Sequence, residues 1–581
     1  MLFRGIGAAP GLTAAKCLII QGAPEINTVV QTIRREQVEE ELSLFRQAVE
    51  IATAQLEAII MRARQAGDET RADIIDAQCL MLTDPTIEDE VRDKITTQLY
   101  PATRAVSETI AEQAEILAGL EDPFLRERAA DVRDIGYRLT AILQGEPEQD
   151  LLNMVEEVIL VGREITTSQM AAIDATKVKG VVAEVGGKTS HTAILANSMG
   201  LPAVLGCPGI LESIGDGELL VVDGDKGIVE TQVDSARHTV IEREMVRRKS
   251  VRDNLQDLVD KQTRTCDGFV VELAANIMDP AGADKAMQVG ADGIGLYRTE
   301  FLFMNRSAAP TEEEQYEAYS RVLRTMKGKP VIIRTLDIGG DKDIAYLNLP
   351  KEENPSLGYR AIRICLQDKP LFITQLRAIL RAGVHGRALI MYPMIASLEE
   401  VRSANQVLQV AKESLRAEGA VFDDSLKAGI MVEIPSAALT ADLLIREAAF
   451  FSIGSNDLVQ YTLAVDRLND RISELYNPFQ PGVLRLIRTV IETANQAGGG
   501  KFAGMCGEMA SDPLATLLLL GLGLTEFSVN PSALLKIKKI ITSVDRSYAQ
   551  MVAARVMQLS TADEITSYLT ASIPAELHDY L

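Results

Sequence analysis

The sequence predicts an α/β multidomain chain: a small α/β unit, interrupted after its first strand by a helical insert, and then a (β/α)8 barrel. Three observations predict it. Residues 33–143 carry apolar positions at helical spacing with charges between them, and the segments around them do not. Eight short β-rich runs occupy the C-terminal half, most of them separated by enough chain for a helix. Several of those runs lead straight into charged or polar residues, which is where barrel chemistry sits. A generic α/β sheet is the alternative reading of the same pattern.

Residues 1–22 are punctuated by Gly and Pro and end in the apolar run Cys17–Ile20, read as one strand. Helical spacing then holds from Ile33 to Leu143. Asp84-Pro85 and Asp122-Pro123 punctuate it, and Pro101 marks another helix start. Glu157–Val161, Gly180–Val185, Ala203–Leu205 and Leu219–Val222 alternate with helical stretches as a small α/β unit. Asp234–Arg264 is highly charged and free of Gly and Pro; as a helix it would extend ~45 Å. It reads either as a solvated surface helix or as a connector between two bodies. The barrel strands are expected at Val270–Ile277, Gly293–Tyr297, Pro330–Thr335, Ala388–Tyr392, Ala428–Val432, Phe450–Ile453, Phe502–Met505 and Glu526–Val529. This divides the chain into 1–22 with 145–232, the insert 23–144, a linker helix 233–266 and the barrel 267–581.

Composition narrows the function classes. The chain has 581 residues, enough for about three to five ordinary domains. With 59 Lys+Arg against 82 Asp+Glu the formal charge is −23. Such a balance disfavours nucleic acid and anionic membrane as partners, so an anionic substrate would need a local basic pocket. The longest apolar run, Leu514–Leu524, falls well short of the ~18 residues of a membrane span, and the N-terminus does not read as a secretory signal. Six scattered cysteines, without CxxC pairing, read as the reduced thiols of a cytoplasmic enzyme. Four histidines leave little room for a three-histidine metal site.

One of them stands in Gly186-Gly187-Lys188-Thr189-Ser190-His191-Thr192. A P-loop would need glycine at position 182, where the residue is Val182, so the nucleotide reading fails. What remains is a histidine on a Gly-rich turn at a helix N-terminus. It is either a capping residue or a nucleophile whose phosphorylated form the helix N–H groups would favour.

In the barrel, Arg298, Arg334 and Arg360 follow or lie near strand ends, and Arg467 follows Ala-Val-Asp. Guanidinium forks hold phosphate and carboxylate bidentately, so several in one mouth would bind a small polyanion. Glu433 ends one strand and Asp457 follows the next; such a pair can ligate Mg2+ together with substrate oxygens. The alternative for each is a helix N-cap, which suits Asp457 better than Glu433. Cys506, at the end of a strand, could donate or accept a proton at carbon.

The string Gly-Gly-Lys-Thr-Ser-His-Thr-Ala-Ile resembles the phosphohistidine signature of the phosphoenolpyruvate-utilising enzymes. Gly-Ala-Asp-Gly-Ile-Gly-Leu-Tyr-Arg-Thr-Glu-Phe-Leu-Phe-Met, Met-Val-Glu-Ile-Pro-Ser-Ala-Ala, Phe-Phe-Ser-Ile-Gly-Ser-Asn-Asp-Leu and Gly-Met-Cys-Gly-Glu resemble their barrel. With the opening Gly-Ile-Gly-Ala-Ala-Pro-Gly, nearly the whole chain is similar to the phosphoenolpyruvate–protein phosphotransferases of the bacterial sugar phosphotransferase system. The resemblance implies a swivelling phosphohistidine α/β domain with an inserted helical subdomain, followed by a TIM barrel. It implies His191 as the phosphorylated nucleophile and Arg298, Arg334, Arg360, Arg467 and Asn456 as ligands of phosphoenolpyruvate. Glu433 and Asp457 would hold Mg2+, and Cys506 would protonate the enolate of pyruvate. The inserted helices, with Leu80–Leu82 and Arg128, would dock the small phosphocarrier protein HPr or a paralogue, and the barrel would form a homodimer.

The chain departs from the family pattern at Gln78, where many relatives have histidine, and at Met170, where they have threonine. Both positions are associated with hydrogen bonds to the active imidazole in one orientation. Two other functions compete. A pyruvate phosphate dikinase or phosphoenolpyruvate synthase would need an ATP-grasp domain ahead of the His domain, where only a short strand and a helical insert stand. A regulatory phosphorelay protein of the nitrogen-type system would differ in its carrier.

Overall fold

The computed structural model describes residues 1–20, 32–65, 69–119, 123–145, 156–174, 176–187, 190–304, 306–339, 344–347, 349, 352–467, 469 and 471–581. The chain divides into two compact units, Met1–Arg248 and Lys249–Leu581.

The first unit is built on a mixed eight-stranded sheet: β1 Leu2–Arg4, β2 Ile6–Ala9, β3 Leu12–Ile19, β4 Val158–Gly162, β5 Val178–Ala183, β6 Ala203–Leu205, β7 Leu219–Asp223 and β8 Ile228–Glu230. Their order is β1-β8-β7-β3-β4-β5-β6-β2. Residues 1–22 thus hold three strands, not the single one read from Cys17–Ile20. Gly5 and Pro10-Gly11 break the extended chain into pieces that reach opposite edges of the sheet, too short for periodicity to register. A Cβ on Gly7 would lie 2.2 Å from the Gly224 carbonyl, so only glycine lets this segment cross the β7–β8 turn. Both faces of the sheet are apolar, with Leu160, Val181 and Leu195 packing on one side and Ile159, Val182 and Val222 on the other.

The helical insert leaves after β3 and returns at β4, which pairs with β3 in parallel (Cys17 opposite Ile159). Its helices run Val38–Gln65, Glu69–Leu82, Pro85–Thr97, Ala102–Ala118 and Pro123–Gln144. Asp84 caps the third, accepting from Thr86 N at 2.8 Å, with Pro85 at the first helical position. Leu42, Phe45, Ala52, Leu56, Ile59 and Ala63 recur at helical spacing along the first helix and form the core of the insert. Leu82 belongs to this core, while Leu80 is exposed, so the stretch Leu80–Leu82 is not a continuous apolar surface.

The charged linker is helical over Ser235–Gln256, shorter than the expected Asp234–Arg264. Beyond it the backbone is tied to the second unit: Lys538 Nζ donates to the Val259 carbonyl at 3.2 Å, and Val271 N donates to Thr263 O at 3.0 Å. Tertiary pairing overrides helix propensity there.

The second unit is a closed parallel barrel of β9 Glu272–Ile277, β10 Ile294–Arg298, β11 Val331–Arg334, β12 Ala388–Tyr392, β13 Ala428–Val432, β14 Phe451–Ile453, β15 Ala503–Met505 and β16 Glu526–Val529, with β16 pairing back onto β9. All eight fall within the expected runs, give or take a terminal residue. The interior is plugged by Leu296, Ile332, Met391, Met431, Phe450 and Cys506, and the rings of Phe450 and Phe502 stack at 5.2 Å. The apolar run Leu514–Leu524 supplies the buried helix Pro513–Leu522 of the outer layer. Among the described residues no helix is long and apolar enough to cross a membrane.

Candidate active site

The C-terminal ends of the barrel strands bring most of the expected residues into one mouth. Arg298 is the last residue of β10 and Arg334 the last of β11. Arg334 is buried between two carboxylates, Glu300 and Asp337, the latter at 2.8 Å. Asp337 also accepts from Arg360 at 2.9 Å, so one carboxylate spans two guanidinium groups. Arg360 lies 3.5 Å from Asp457 and donates to the Tyr461 hydroxyl at 3.2 Å. Arg467 approaches the other Asp457 oxygen at 3.6 Å. Arg334, Arg360 and Arg467 are therefore chained together through Asp337 and Asp457.

The charge balance is felt by each group. Burial alone would lower Arg334 and Arg360, yet Asp337 holds both above the usual guanidinium range, with Glu300 helping the first and Asp457 the second. Arg298 goes the other way, lowered by burial and by the neighbouring Arg334. An anion would relieve that strain. Glu433, just past β13, is pushed up to about 8 by burial and by Asp457 and Asp337, against the pull of Arg334 and Arg360. One Glu433 oxygen accepts the Met394 N–H at 2.6 Å. Met394 holds φ +57°, a left-handed conformation costing about 1–3 kcal/mol in a non-glycine residue, at the point where its amide meets the carboxylate.

Glu433 and Asp457 are the candidate ligands for a divalent cation. A Cβ on Gly454 would come within 2.9 Å of Glu433 Oε2, so glycine leaves space for that carboxylate beside the helix Ser455–Leu463 that carries Asp457. Asn456 is the second residue of the same helix, and its Oδ1 accepts Glu508 N at 2.8 Å. Cys506 follows β15, buried, with its thiol raised to about 11 chiefly by burial. A thiol so high stays protonated at neutral pH.

In the first unit, Ser190 caps the helix His191–Ser198, accepting Ala193 N at 3.3 Å and donating to Gly187 O at 2.9 Å. His191 is thus the first helical residue, in the turn whose N–H groups find no acceptor one turn earlier in the helix itself. Its side chain, and Lys188 and Thr189 altogether, lie outside the described residues. Gln78 is buried and donates to Asp134 at 3.0 Å and to Asp131 at 3.4 Å, while Ser168 N and Oγ each reach Asp134 at 2.8 Å. Met170, two residues on, lies in the sheet's apolar core. Both departures from the family pattern are therefore built into packed surroundings.

Comparison with known proteins matches residues 252–546 to the PEP-binding domain of PEP-utilising enzymes, 4–128 to their N-terminal domain and 154–227 to their mobile domain. The chain is 41% identical over 571 residues to the phosphoenolpyruvate-protein phosphotransferase of Priestia megaterium, covering 98% of each chain. It belongs to that family. The relative from Geobacillus stearothermophilus is 42% identical over 566 residues, 97% of each chain, and that from Bacillus subtilis 41% over 568 residues, 97% of this chain and 98% of the other. The chain is accordingly a transferase of the PEP-utilising class.

Sequence reasoning missed two residues that organise the mouth. Asp337 stands three residues after Arg334, a spacing that hinted at a local ion pair but not at the bridge to Arg360. Met394 carried no signal, because its role is a backbone amide in a conformation side-chain identity does not disclose.

Proposed function

We propose that this protein transfers the phosphoryl group of phosphoenolpyruvate to its own His191, and then to a histidine of a small phosphocarrier protein, HPr or a paralogue, as the first step of the phosphotransferase system. The observation that carries the reading is the chain of three arginines and two carboxylates, Arg334–Asp337–Arg360–Asp457–Arg467, beside Glu433 in the mouth of a barrel.

Phosphoryl transfer asks a protein mainly for positioning and charge neutralisation. Arg298, Arg334, Arg360 and Arg467, with the Asn456 side chain, bind and orient the carboxylate and phosphate of the substrate. Asp337 fixes the forks of Arg334 and Arg360 before substrate arrives, which lowers the ordering cost of binding. Glu433 and Asp457 hold Mg2+, which supplies Lewis-acid neutralisation of phosphate oxygens when bound. Cys506 gives its proton to C3 of the enolate, completing pyruvate. His191, at a helix N-terminus, accepts a phosphoryl dianion where the helix dipole favours negative charge. The same imidazole must meet a barrel in one step and a carrier in the next, so Ser235–Gln256 is the proposed connector. Carrier docking falls to the helical insert, dimerisation to the barrel, and the enzyme works in the cytoplasm.

Incubation with 32P-labelled phosphoenolpyruvate and Mg2+ should give an acid-labile, base-stable phosphoprotein. His191→Ala should abolish labelling, and equal labelling of the variant overturns the assignment. Transfer to each carrier at matched concentration then separates a sugar-uptake from a nitrogen-regulatory role.

A further inference from the structure

Behind the mouth, at the opposite end of the barrel, lies a second cavity of about 290 Å3 that the chemistry above does not use. Its walls include Ala274, Ile332, Leu389 and Phe502. Two carboxylates line it, Glu272 and Glu526, with Arg387 the remaining charged group. Glu526, the first residue of β16, is only 2% exposed, and among the described residues neither of its carboxylate oxygens has a hydrogen-bond partner. A buried carboxyl without partners resists ionisation and calls for an explanation.

Two glycines show where that carboxyl points. Glu526 is the register partner of Gly504 on β15. A Cβ on Gly504 would lie 1.6 Å from Glu526 Oε2, and one on Gly295 of β10 would lie 2.1 Å from Oε1. The carboxyl therefore occupies the space inside the barrel that two side chains have vacated. Residues two apart on a strand face the same side, so Cys506 follows Gly504 on that inward face, about 6–7 Å further along. Cys506 is indeed part of the interior plug. Solvent cavity, carboxyl, thiol and substrate mouth thus follow one another along the barrel axis.

We propose that Glu526 is a proton relay that reloads Cys506 from the rear cavity after each turnover. This rests on Cys506 being the acid that completes pyruvate. In that step the thiol S–H bond breaks and its proton forms the new C–H bond at C3 of the enolate, leaving a thiolate. Glu526 then passes its carboxyl proton to the sulfur, directly or through a bridging water. The resulting carboxylate takes a proton from hydronium in the rear cavity. The balance is one solvent proton into the pyruvate methyl group and no change of oxidation state. Burial and the neighbouring Glu272 raise Glu526 well above the carboxylate range, so it holds a proton to give. The acceptor is a thiolate whose conjugate acid burial raises to about 11, so it takes up a proton readily. The relay matters because product in the mouth shields Cys506 from the front while the plug encloses its sides.

The test compares first-turnover and steady-state release of pyruvate by rapid quench, with excess phosphocarrier protein, in the full chain. In Glu526→Gln the thiol starts protonated, so the first turnover should match the parent protein. Later turnovers should slow at least about tenfold, giving a burst, with the KM for phosphoenolpyruvate changed less than about twofold. Glu526→Asp, which keeps an acid one methylene short, should recover part of the steady-state rate. Leu389→Phe, which fills the rear cavity and leaves Glu526 in place, should show the same burst and carries the test if Glu526→Gln does not fold. An unchanged steady-state rate overturns the relay. So does a first turnover that falls in step with the later ones, which marks a structural role. Cys506→Ala in parallel separates the two readings: if its first turnover is normal, the thiol is not the acid and the failure lies there.

Discussion

Asp337→Asn removes one negative charge from between two buried arginines and changes almost no volume. Asp337 makes contacts of 2.8 Å to Arg334 and 2.9 Å to Arg360, and all three side chains are buried. Hydrogen bonds to charged groups contribute about 1.5–3 kcal/mol each. An asparagine oxygen can accept from only one of the two forks while its NH2 group opposes the other. Breaking a buried ion pair by removing one partner costs about 3–5 kcal/mol, and the substrate-free barrel should lose that much stability. For a unit of this size, 1 kcal/mol corresponds to about 1.5 °C in Tm, so the barrel transition should fall by about 5–8 °C. Phosphoenolpyruvate supplies the missing anion. In magnesium-free buffer with EDTA, where phosphoryl transfer is stalled, saturating substrate should raise the Tm of the variant by more than it raises that of the parent. Differential scanning calorimetry of the intact chain, following the barrel transition, measures both. A variant that melts within about 1 °C of the parent would refute the bridging role. Equal stabilisation of the two by substrate would refute the claim that substrate and Asp337 share the same forks.

Cys506→Ala should slow turnover by about 10²-fold, within the usual range for a general acid, while calorimetry shows phosphoenolpyruvate binding little changed; lost binding would assign the thiol to the substrate site instead. At the proposed site Mg2+ would have to displace a proton from Glu433, which burial and Asp457 push up to about 8. Apparent Mg2+ affinity should therefore rise between pH 6 and pH 8 and level off above, with proton release visible as a buffer-dependent heat; a flat profile counts against Glu433 as a ligand. The same raised value means that the metal-free folded state binds this proton more tightly than the unfolded chain. Its contribution to stability is full below the ordinary carboxylate range and is lost as pH rises through about 8. Gln78→Leu strips a donor from the buried Asp131 and Asp134 carboxylates and should destabilise the first unit by about 1–3 kcal/mol; a neutral effect in urea unfolding would show that the amide is dispensable there.

The barrel could be read from the chain because its strands are short apolar runs whose polar residues sit at one end, a pattern that survives without any knowledge of neighbours. Glu433, Asp457 and Cys506 were visible for the same reason: each stands one to four residues past a strand. The bridging of the arginines was not visible. A sequence shows a guanidinium seeking an anion, and only closure of the barrel shows that Asp337 and Asp457 already stand between three of them. The short strands β1 and β2 were hidden because three or four residues do not establish a period, and the linker helix was overextended because charge and missing prolines say nothing of the contact between Val259 and Lys538. These omissions share a cause. Each concerns a residue whose conformation or protonation is decided by a partner hundreds of positions away or across a loop. Glu526 is the sharpest instance: in the sequence it opens an ordinary strand, and its chemistry emerges only from the two glycines that make room for its carboxyl. A substitution at Gly504 would therefore act on Glu526 before anything else. Gly504→Ala should destabilise the barrel and, where the chain still folds, displace the carboxyl from behind the thiol. Its steady-state rate should fall further than its first turnover, and the opposite order would place the damage in the mouth.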